Sequence, residues 1–213
     1  MARVSRRVVG RAAIAAGIAL LLGLAGLRPA AADDKELVQA LRAGGLIVVV
    51  RHGATHPDQA DTDPLHPDNV PAQRKLNDKG IAAAKAFGEA FRQIGVPVGK
   101  AYTSQFDRAY QTAVLAGFNN VEKTPDLTEG GLVVTPNENS RRAAAFRKLL
   151  GAAPPAGSNT LIVTHKPNIL DALGKDWFDV KEGEASIFRP SNGNYTLIAR
   201  VQMADWPRIA SAK

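Results

Sequence analysis

The chain has 213 residues, no cysteine and a formal net charge of +7, from 27 basic and 20 acidic residues. The absence of cysteine excludes disulfide bonds, a cysteine nucleophile and thiolate metal sites. Residues 1–32 contain five arginines and no acid, so residues 33–213 carry only 22 basic against 20 acidic side chains. Nucleic-acid binding needs cations clustered on the folded domain, and this near balance removes that support.

Residues 1–32 have the pattern of a secretory signal peptide. Four arginines within residues 1–11 precede an apolar run over 12–27, and the alanines at 30–32 are small residues suited to cleavage. The run of 16 residues is short against the roughly 20 that span a bilayer, which argues against a membrane anchor. We expect removal of 1–32, a periplasmic or secreted location and no membrane attachment afterwards. The pair Arg6-Arg7 leaves both Sec and twin-arginine export open.

Residues 33–213 are long enough for one domain with a core, and they show no internal repeat or second domain. Apolar spacing predicts a helix over 33–42. The apolar, mostly β-branched run that follows, over 46–51, predicts a strand buried on both faces of a parallel sheet. This strand ends in Arg51, His52 and Gly53, at the sheet edge where α/β proteins bind ligands. A permanent cation, an imidazole and a glycine together suit a dianionic phosphate.

The proline- and aspartate-rich segment 53–75 predicts a long loop that leaves directly from this turn. We expect a lid or substrate-facing loop, with a solvated insertion as the alternative. His52 and His56 have a spacing that would bind metal on a helix, but this segment is not helical, so no metal or other cofactor is predicted. The loop side chains expected to line or cover the pocket entrance are His56, Asp58, Asp61 and Asp63.

Further strands and helices alternate along the rest of the chain. The expected elements are a helix from 77 or 78 to 94, a strand over 98–103, a helix over 109–116, a short strand opening at 121, a helix capped by Asn137 or Asn139 and ending at 150, a strand over 160–165, a helix over 168–173, and a hairpin of edge strands at 185–189 and 195–203. This order predicts an α/β fold, a three-layer sandwich with a largely parallel central sheet.

Four chemically capable side chains lie at three predicted strand ends: Arg51, His52, Arg108 and His165. Two guanidiniums can hold phosphate oxygens through charge-assisted, often bidentate hydrogen bonds. Of two imidazoles, one can attack phosphorus while the other donates a hydrogen bond to a phosphoryl oxygen. Phosphoryl transfer needs mainly positioning and charge stabilisation, which this set supplies.

Four motifs in the order found here resemble those of the histidine phosphatase superfamily, the phosphoglycerate mutase-like group, in its small compact branch. Arg51-His52-Gly53-Ala54-Thr55 resembles its defining motif, and the segment 76–80 resembles its L-x-x-x-G helix start. The segment 102–113 resembles its S-x-x-x-R-A-x-Q-T-A motif, and 163–165 resembles the motif of its second histidine. The resemblance covers nearly all of residues 45–203 and implies a phosphoglycerate mutase-like fold.

The resemblance also implies roles for individual residues. His52 would be the nucleophile that becomes phosphorylated, and Arg51, Arg108 and His165 would complete the phosphate pocket. The compact branch often uses a glutamate after the second motif as proton donor, and Glu129 is the best match. The acid-phosphatase branch uses an aspartate directly after the second histidine, where this chain has Lys166. Lys166 either adds positive charge beside the pocket or points into solvent.

These features predict an exported, metal-independent phosphomonoesterase that works through a phosphohistidine on His52. Its substrate would be a phosphorylated small molecule or a phosphoprotein, with no nucleic-acid partner. One alternative is a phosphoglycerate mutase-type phosphotransferase. Another is a non-catalytic domain that binds phosphate or a phosphoprotein. The sequence contains no Gly-x-Ser-x-Gly elbow, which excludes the serine hydrolases that depend on it.

Overall fold

A six-stranded sheet forms the middle layer of the computed structural model, which describes residues 33–130 and 133–212. Its strands are β1 (Ile47–Arg51), β2 (Val98–Thr103), β3 (Val121–Lys123), β4 (Asn159–Thr164), β5 (Ala185–Ser191) and β6 (Asn194–Val201). They lie in the order β3-β2-β4-β1-β5-β6, and the first four are parallel. The prediction of a largely parallel sheet is confirmed. The prediction of two edge strands is wrong for β5, because it pairs with both β1 and β6.

Helices cover both faces of this sheet. They are α1 (Asp34–Ala43), α2 (Asp78–Ile94), α3 (Asp107–Leu115), α4 (Pro136–Gly151), α5 (Lys166–Leu173) and α6 (Trp206–Ala210). Buried side chains of α1, α2, α3 and α6 form one apolar cluster with one face of the sheet, and those of α4 and α5 form a second cluster with the other face. The three-layer sandwich is therefore confirmed.

Helix ends show which local signals the sequence carries clearly. Helix α2 agrees with the predicted range: the side chain of Asn77 accepts a hydrogen bond from the Gly80 amide, and Gly95 ends the helix in the left-handed conformation. The predicted cap of α4 is wrong: Thr135 accepts from the Glu138 amide and precedes a proline suited to the first helical turn. Helix α3 begins at Asp107, two residues earlier than expected. Helix α6, which buries Trp206, was not predicted.

The parallel register brings three strand ends to one edge of the sheet. Arg51 pairs with Thr164, and the amide of His52 donates to the carbonyl of Thr164 over 3.0 Å. On the other side of β4, the amide of Ser104 donates to the carbonyl of Val163. The residues that follow β1, β2 and β4 therefore meet, as the sequence indicated.

Residues 1–32 lie outside the described part of the chain, so the signal peptide stays a prediction. No helix within residues 33–130 and 133–212 is long and apolar enough to cross a membrane.

Candidate active site

His52 follows β1 directly, and its ring is held in one tautomer. Its Nδ1 lies 2.8 Å from the carbonyl oxygen of Gly53. A carbonyl only accepts hydrogen bonds, so Nδ1 carries the proton and Nε2 keeps its lone pair. The amide of Gly53 in turn donates to the Thr112 hydroxyl over 2.9 Å. Since only 2% of His52 is exposed, the ring is fixed and poorly solvated, with an unprotonated nitrogen.

Helix α2 packs closely against the turn after His52, and this accounts for one of the sequence motifs. A Cβ atom on Gly80 would collide with the backbone carbonyl oxygen of Ala54. The side-chain amide of Asn77 donates to the Thr55 carbonyl over 2.8 Å. The L-x-x-x-G pattern therefore allows the start of α2 to support the backbone that carries the histidine.

His165 follows β4, and its ring centroid lies 5.1 Å from that of His52. Its Nε2 is 2.7 Å from the hydroxyl oxygen of Ser104, which also accepts from the Phe106 amide. The next hydroxyl partner of Ser104, on Thr128, is 3.5 Å away, so Ser104 donates to Nε2 by preference. Nδ1 of His165 then carries the proton, and this buried atom has no hydrogen-bond partner in the described part of the chain. Such a donor suits a phosphoryl oxygen.

Burial keeps both imidazoles neutral. Burial and the nearby Arg108 guanidinium lower the pKa of His52 well below its usual value of 6.5. The pKa of His165 is lowered well below the same value by burial, by Arg108 and by His52. Both rings are therefore uncharged at neutral pH, which leaves the His52 lone pair free to attack.

Arg108 lies in the first turn of α3 and is fully buried. Its Nη1 is 3.0 Å from Oδ1 of Asp61, and its Nη2 is 2.9 Å from Oε2 of Glu129. Its Nε is buried with no hydrogen-bond partner among the described residues. A buried N–H without an acceptor is costly, so this donor indicates a site that an anionic ligand completes.

Arg51, the last residue of β1, resembles Arg108 in having partners for its terminal nitrogens. Its Nη1 donates to the carbonyl of Val180 over 2.8 Å, and its Nη2 lies 3.7 Å from a carboxylate oxygen of Glu182. Its Nε is also buried without a partner in residues 33–130 and 133–212. Below, "the floor" means the surface formed by Arg51, His52, Arg108 and His165.

Glu129 lies beside both Arg108 and His165. Its Oε2 is 3.3 Å from Nδ1 of His165, which is within ion-pair distance. The two atoms do not meet hydrogen-bonding geometry. The backbone before it is fixed, because the carbonyl of Thr128 accepts from Arg142 of α4 and from Asn168 of α5. Sequence reasoning could select Glu129 only through the family resemblance, since no strand or helix period points to it.

The loop over residues 54–75, called the entrance loop below, sends one carboxylate to the floor. Asp61 contacts Arg108, and its Oδ1 also accepts from the amide of Arg74 over 3.0 Å. Asp63 instead bonds to His66 and Asn69 within the loop. Of the residues expected at the entrance, the structure therefore joins Asp61 to the floor, whereas Asp63 contacts the loop itself and Asp58 is exposed.

Sequence reasoning missed Arg74 and Ser104. The positive charge of Arg74 contributes to lowering the pKa of both His52 and His165, so its guanidinium lies near the floor. Arg74 sits in an irregular loop, where no helical or strand periodicity of the sequence identifies it. Ser104 stands inside the second motif, and its distance to His165 could not be read from the sequence.

Lys166 starts α5 directly after His165. Its ammonium lies 4.7 Å from the centre of the Phe178 ring, and that ring is an exposed aromatic group. The structure thus gives Lys166 a partner that neither of the two expected roles included.

No group of three or more histidine or carboxylate side chains in the described ranges is arranged to hold a metal ion.

Comparison with known proteins places this geometry in a family context. The family model of the histidine phosphatase superfamily (branch 1) matches residues 47–135, which include Arg51, His52, Arg108 and Glu129. His165 lies beyond the matched segment. No curated protein sequence matches the chain.

Solved structures share the fold at low sequence identity. The structure of the protein histidine phosphatase SixA complexed with tungstate is 18% identical with a TM-score of 0.56, over 75% of this chain and 98% of that one. A phosphoserine phosphatase from Entamoeba histolytica, in complex with 3-phosphoglyceric acid, is 15% identical with a TM-score of 0.50, over 74% and 98%. The product of open reading frame Rv3214 from Mycobacterium tuberculosis is 17% identical with a TM-score of 0.50, over 72% and 95%.

Proposed function

From the confirmed resemblance to the histidine phosphatase superfamily, we propose that this chain hydrolyses phosphomonoesters through a phosphohistidine on His52. The observation that carries the proposal is the buried pair of imidazoles, with Nε2 of His52 unprotonated. Beside them, buried N–H groups of His165, Arg108 and Arg51 have no partner among the residues that the structure describes. A nucleophile surrounded by donors without acceptors fits a phosphoryl group. The substrate would be a phosphorylated small molecule or a phosphoprotein.

In the first step, Nε2 of His52 attacks phosphorus while the ester P–O bond breaks. Glu129 gives a proton to the departing oxygen, so the alcohol leaves neutral. The Nδ1 proton of His52 stays on the ring, hydrogen-bonded to the carbonyl of Gly53, which stabilises the positive charge that develops on the ring. Arg51 and Arg108 hold the non-bridging oxygens, and Nδ1–H of His165 donates to one of them.

In the second step, water attacks phosphorus from the side that the alcohol has left. Glu129, now a carboxylate, takes a proton from the water, and the P–N bond breaks to return its electron pair to Nε2 of His52. Inorganic phosphate leaves, and the enzyme regains its starting protonation. The contacts of Glu129 with Arg108 and His165 support this role in both transfers.

The test is hydrolysis of p-nitrophenyl phosphate by the purified protein in excess chelator. We expect turnover in the wild type, and a fall of at least about 10⁴-fold in His52→Ala, because the covalent route is lost. His66→Ala, at an exposed histidine of the entrance loop, is the matched control and should stay within about threefold of the wild type. Glu129→Gln should slow the ester more than a substrate whose leaving group needs no proton.

Other outcomes separate the two alternative functions. Phosphate affinity without turnover at any pH would support a binding domain. Transfer of phosphate to an added phosphoglycerate, in place of release to water, would support a mutase-type enzyme.

We also propose that residues 1–32 direct export and are removed. The basic start, the apolar run and the small residues before Asp33 support this. Fractionation of expressing bacterial cells, with the mass of the recovered protein, tests it. A periplasmic or secreted species that begins near residue 33 is expected, and a full-length cytoplasmic protein would contradict the proposal.

A further inference from the structure

Asp61 is a carboxylate in a pocket built for a phosphate dianion, and the proposed mechanism gives it no task. Its Oδ1 takes both of its hydrogen bonds, from Nη1 of Arg108 and from the amide of Arg74. Its Oδ2 makes no hydrogen bond within residues 33–130 and 133–212, and 19% of the side chain is exposed. One oxygen is thus fixed to the floor while the other remains available at the entrance.

The position of Asp61 relative to the reaction follows from Arg108. Asp61 and Glu129 contact the two adjacent terminal nitrogens of this one guanidinium. If Glu129 protonates the departing oxygen, the first atoms of the leaving group must pass beside Asp61. A group one or two bonds beyond the ester oxygen is therefore within reach of Oδ2.

Phosphate binding does not require Asp61 to leave. Nε of Arg108 is buried and unpartnered among the described residues, so it can donate to a phosphate oxygen while Nη1 keeps its carboxylate. The amide of Arg74 holds the same Oδ1 independently of Arg108. Asp61 therefore has two anchors in the occupied site.

The charges around the pocket favour a substrate that carries a cation. With Glu129 protonated, as the first step requires, the carboxylates of Asp61 and Glu182 face the guanidiniums of Arg108 and Arg51. Arg74 adds a third positive charge near the floor. A phosphate dianion therefore brings one negative charge that this set does not compensate. A positive group on the leaving side offsets it and pairs with Oδ2 of Asp61.

We propose that Asp61 is a specificity-determining residue that selects phosphomonoesters whose leaving group carries an ammonium close to the ester oxygen. The proposal rests on the phosphatase activity argued above and names its substrate class. Lys166 follows His165 in the chain and carries a charge that would repel such a cation. Its ammonium lies over the ring of Phe178.

The test compares 2-aminoethyl phosphate with propyl phosphate, which has the same shape but a methyl group in place of the ammonium. In the wild type we expect kcat/KM to favour the amino ester by about tenfold, which is about 1.4 kcal/mol. In Asp61→Asn the ratio should fall close to one. Asp61→Glu should retain part of the preference, and Asp58→Asn, an exposed neighbour in the same loop, should retain all of it.

The ratio is measured within each variant, so loss of folded protein or a general loss of activity cancels. If Asp61 only positioned Arg108, or if phosphate displaced it, both esters would change by the same factor and the proposal would be overturned. A wild-type ratio at or below one would overturn it too. If neither alkyl ester turns over, their inhibition constants against p-nitrophenyl phosphate provide the same ratio. Absence of p-nitrophenyl phosphate hydrolysis would instead contradict the phosphatase activity itself.

Discussion

The floor and the entrance loop meet at the guanidinium of Arg108, but different interactions hold them in place. Three of the four floor residues, Arg51, His52 and His165, lie at the ends of strands β1 and β4, whose residues are buried almost throughout and fixed by the register of the sheet. The entrance loop joins no sheet strand and is held by local bonds, both between backbone groups, as from the Thr62 amide to the Ala72 carbonyl, and from side chains. The floor is therefore set mainly by sheet register, and the loop by individual local hydrogen bonds.

This difference leads us to expect separate roles for the floor and the entrance loop. In the proposed function, the floor supplies donors for the phosphate, and the loop supplies Asp61 on the side of the leaving group. Stability and chemistry should depend most on the floor, and substrate preference on the loop. Variants in the two regions can break or sharpen this comparison.

The largest effect is expected from Arg108→Met, in the floor. The change leaves the carboxylates of Asp61 and Glu129 without their buried partner, which typically costs about 3–5 kcal/mol of unfolding free energy. The loss of a phosphate ligand should also lower kcat/KM by roughly 10³-fold. Urea unfolding and phosphatase assays measure the two effects. Arg189→Met, at an exposed arginine of β5, should cost less than about 0.5 kcal/mol.

Ser104→Ala should have the next largest effect on catalysis. The hydroxyl fixes the ring of His165 through a 2.7 Å contact, so its loss frees the imidazole to change tautomer. We expect kcat to fall by about 10–100-fold with little change in KM. Ser158→Ala, at the opposite end of β4, is the matched control. An equal rise in KM would show that Ser104 acts on binding and would contradict the positioning role.

These two predictions show what the sequence could and could not reveal. Strand ends at Arg51 and His165 are readable because β-branched runs mark buried strands, and parallel pairing brings their ends together. Asp61 and Arg74 reach the same place through an irregular loop, where position depends on individual hydrogen bonds without a period. The Thr135 cap of α4 was missed because two nearby asparagines are equally good caps by residue type.

Lower pH should destabilise the protein through the floor. The pKa values of His52 and His165 are depressed in the folded state, so below pH 6.5 the unfolded chain binds more protons than the folded one. The free energy of unfolding should therefore fall as the pH decreases through 6.5, with a contribution from each of the two groups. His165→Asn should show roughly half of this dependence. An unchanged slope in that variant would contradict the assignment.

The same shift predicts that catalysis persists in mild acid. His52 stays neutral as the pH falls to 6.5, so the acid limb of kcat/KM should lie below that value. If the acid limb of kcat/KM lies at or above pH 6.5 and reports the titration of His52, the ring is more solvated than its burial indicates.

The smallest effect is expected in the loop, from Gln73→Ala. This buried amide accepts from the Asp107 amide at the start of α3 and donates to the Pro67 carbonyl. Its loss should cost about 1–2 kcal/mol of unfolding free energy. Gln59→Ala removes an exposed acceptor in the same loop and should cost no more than about 0.5 kcal/mol. Equal costs would show that the loop is not anchored at Gln73.

The central claim is that Nε2 of His52 forms a covalent bond to phosphorus. Rapid quenching of the enzyme with a labelled phosphomonoester in base, followed by peptide mapping and phosphorus NMR, tests it directly. We predict a phosphohistidine on His52 and no label in His52→Ala. The link should be through Nε2, because Nδ1 is hydrogen-bonded to the carbonyl of Gly53. Full turnover without any phosphoenzyme, or a phosphoryl group on another residue, would contradict the claim.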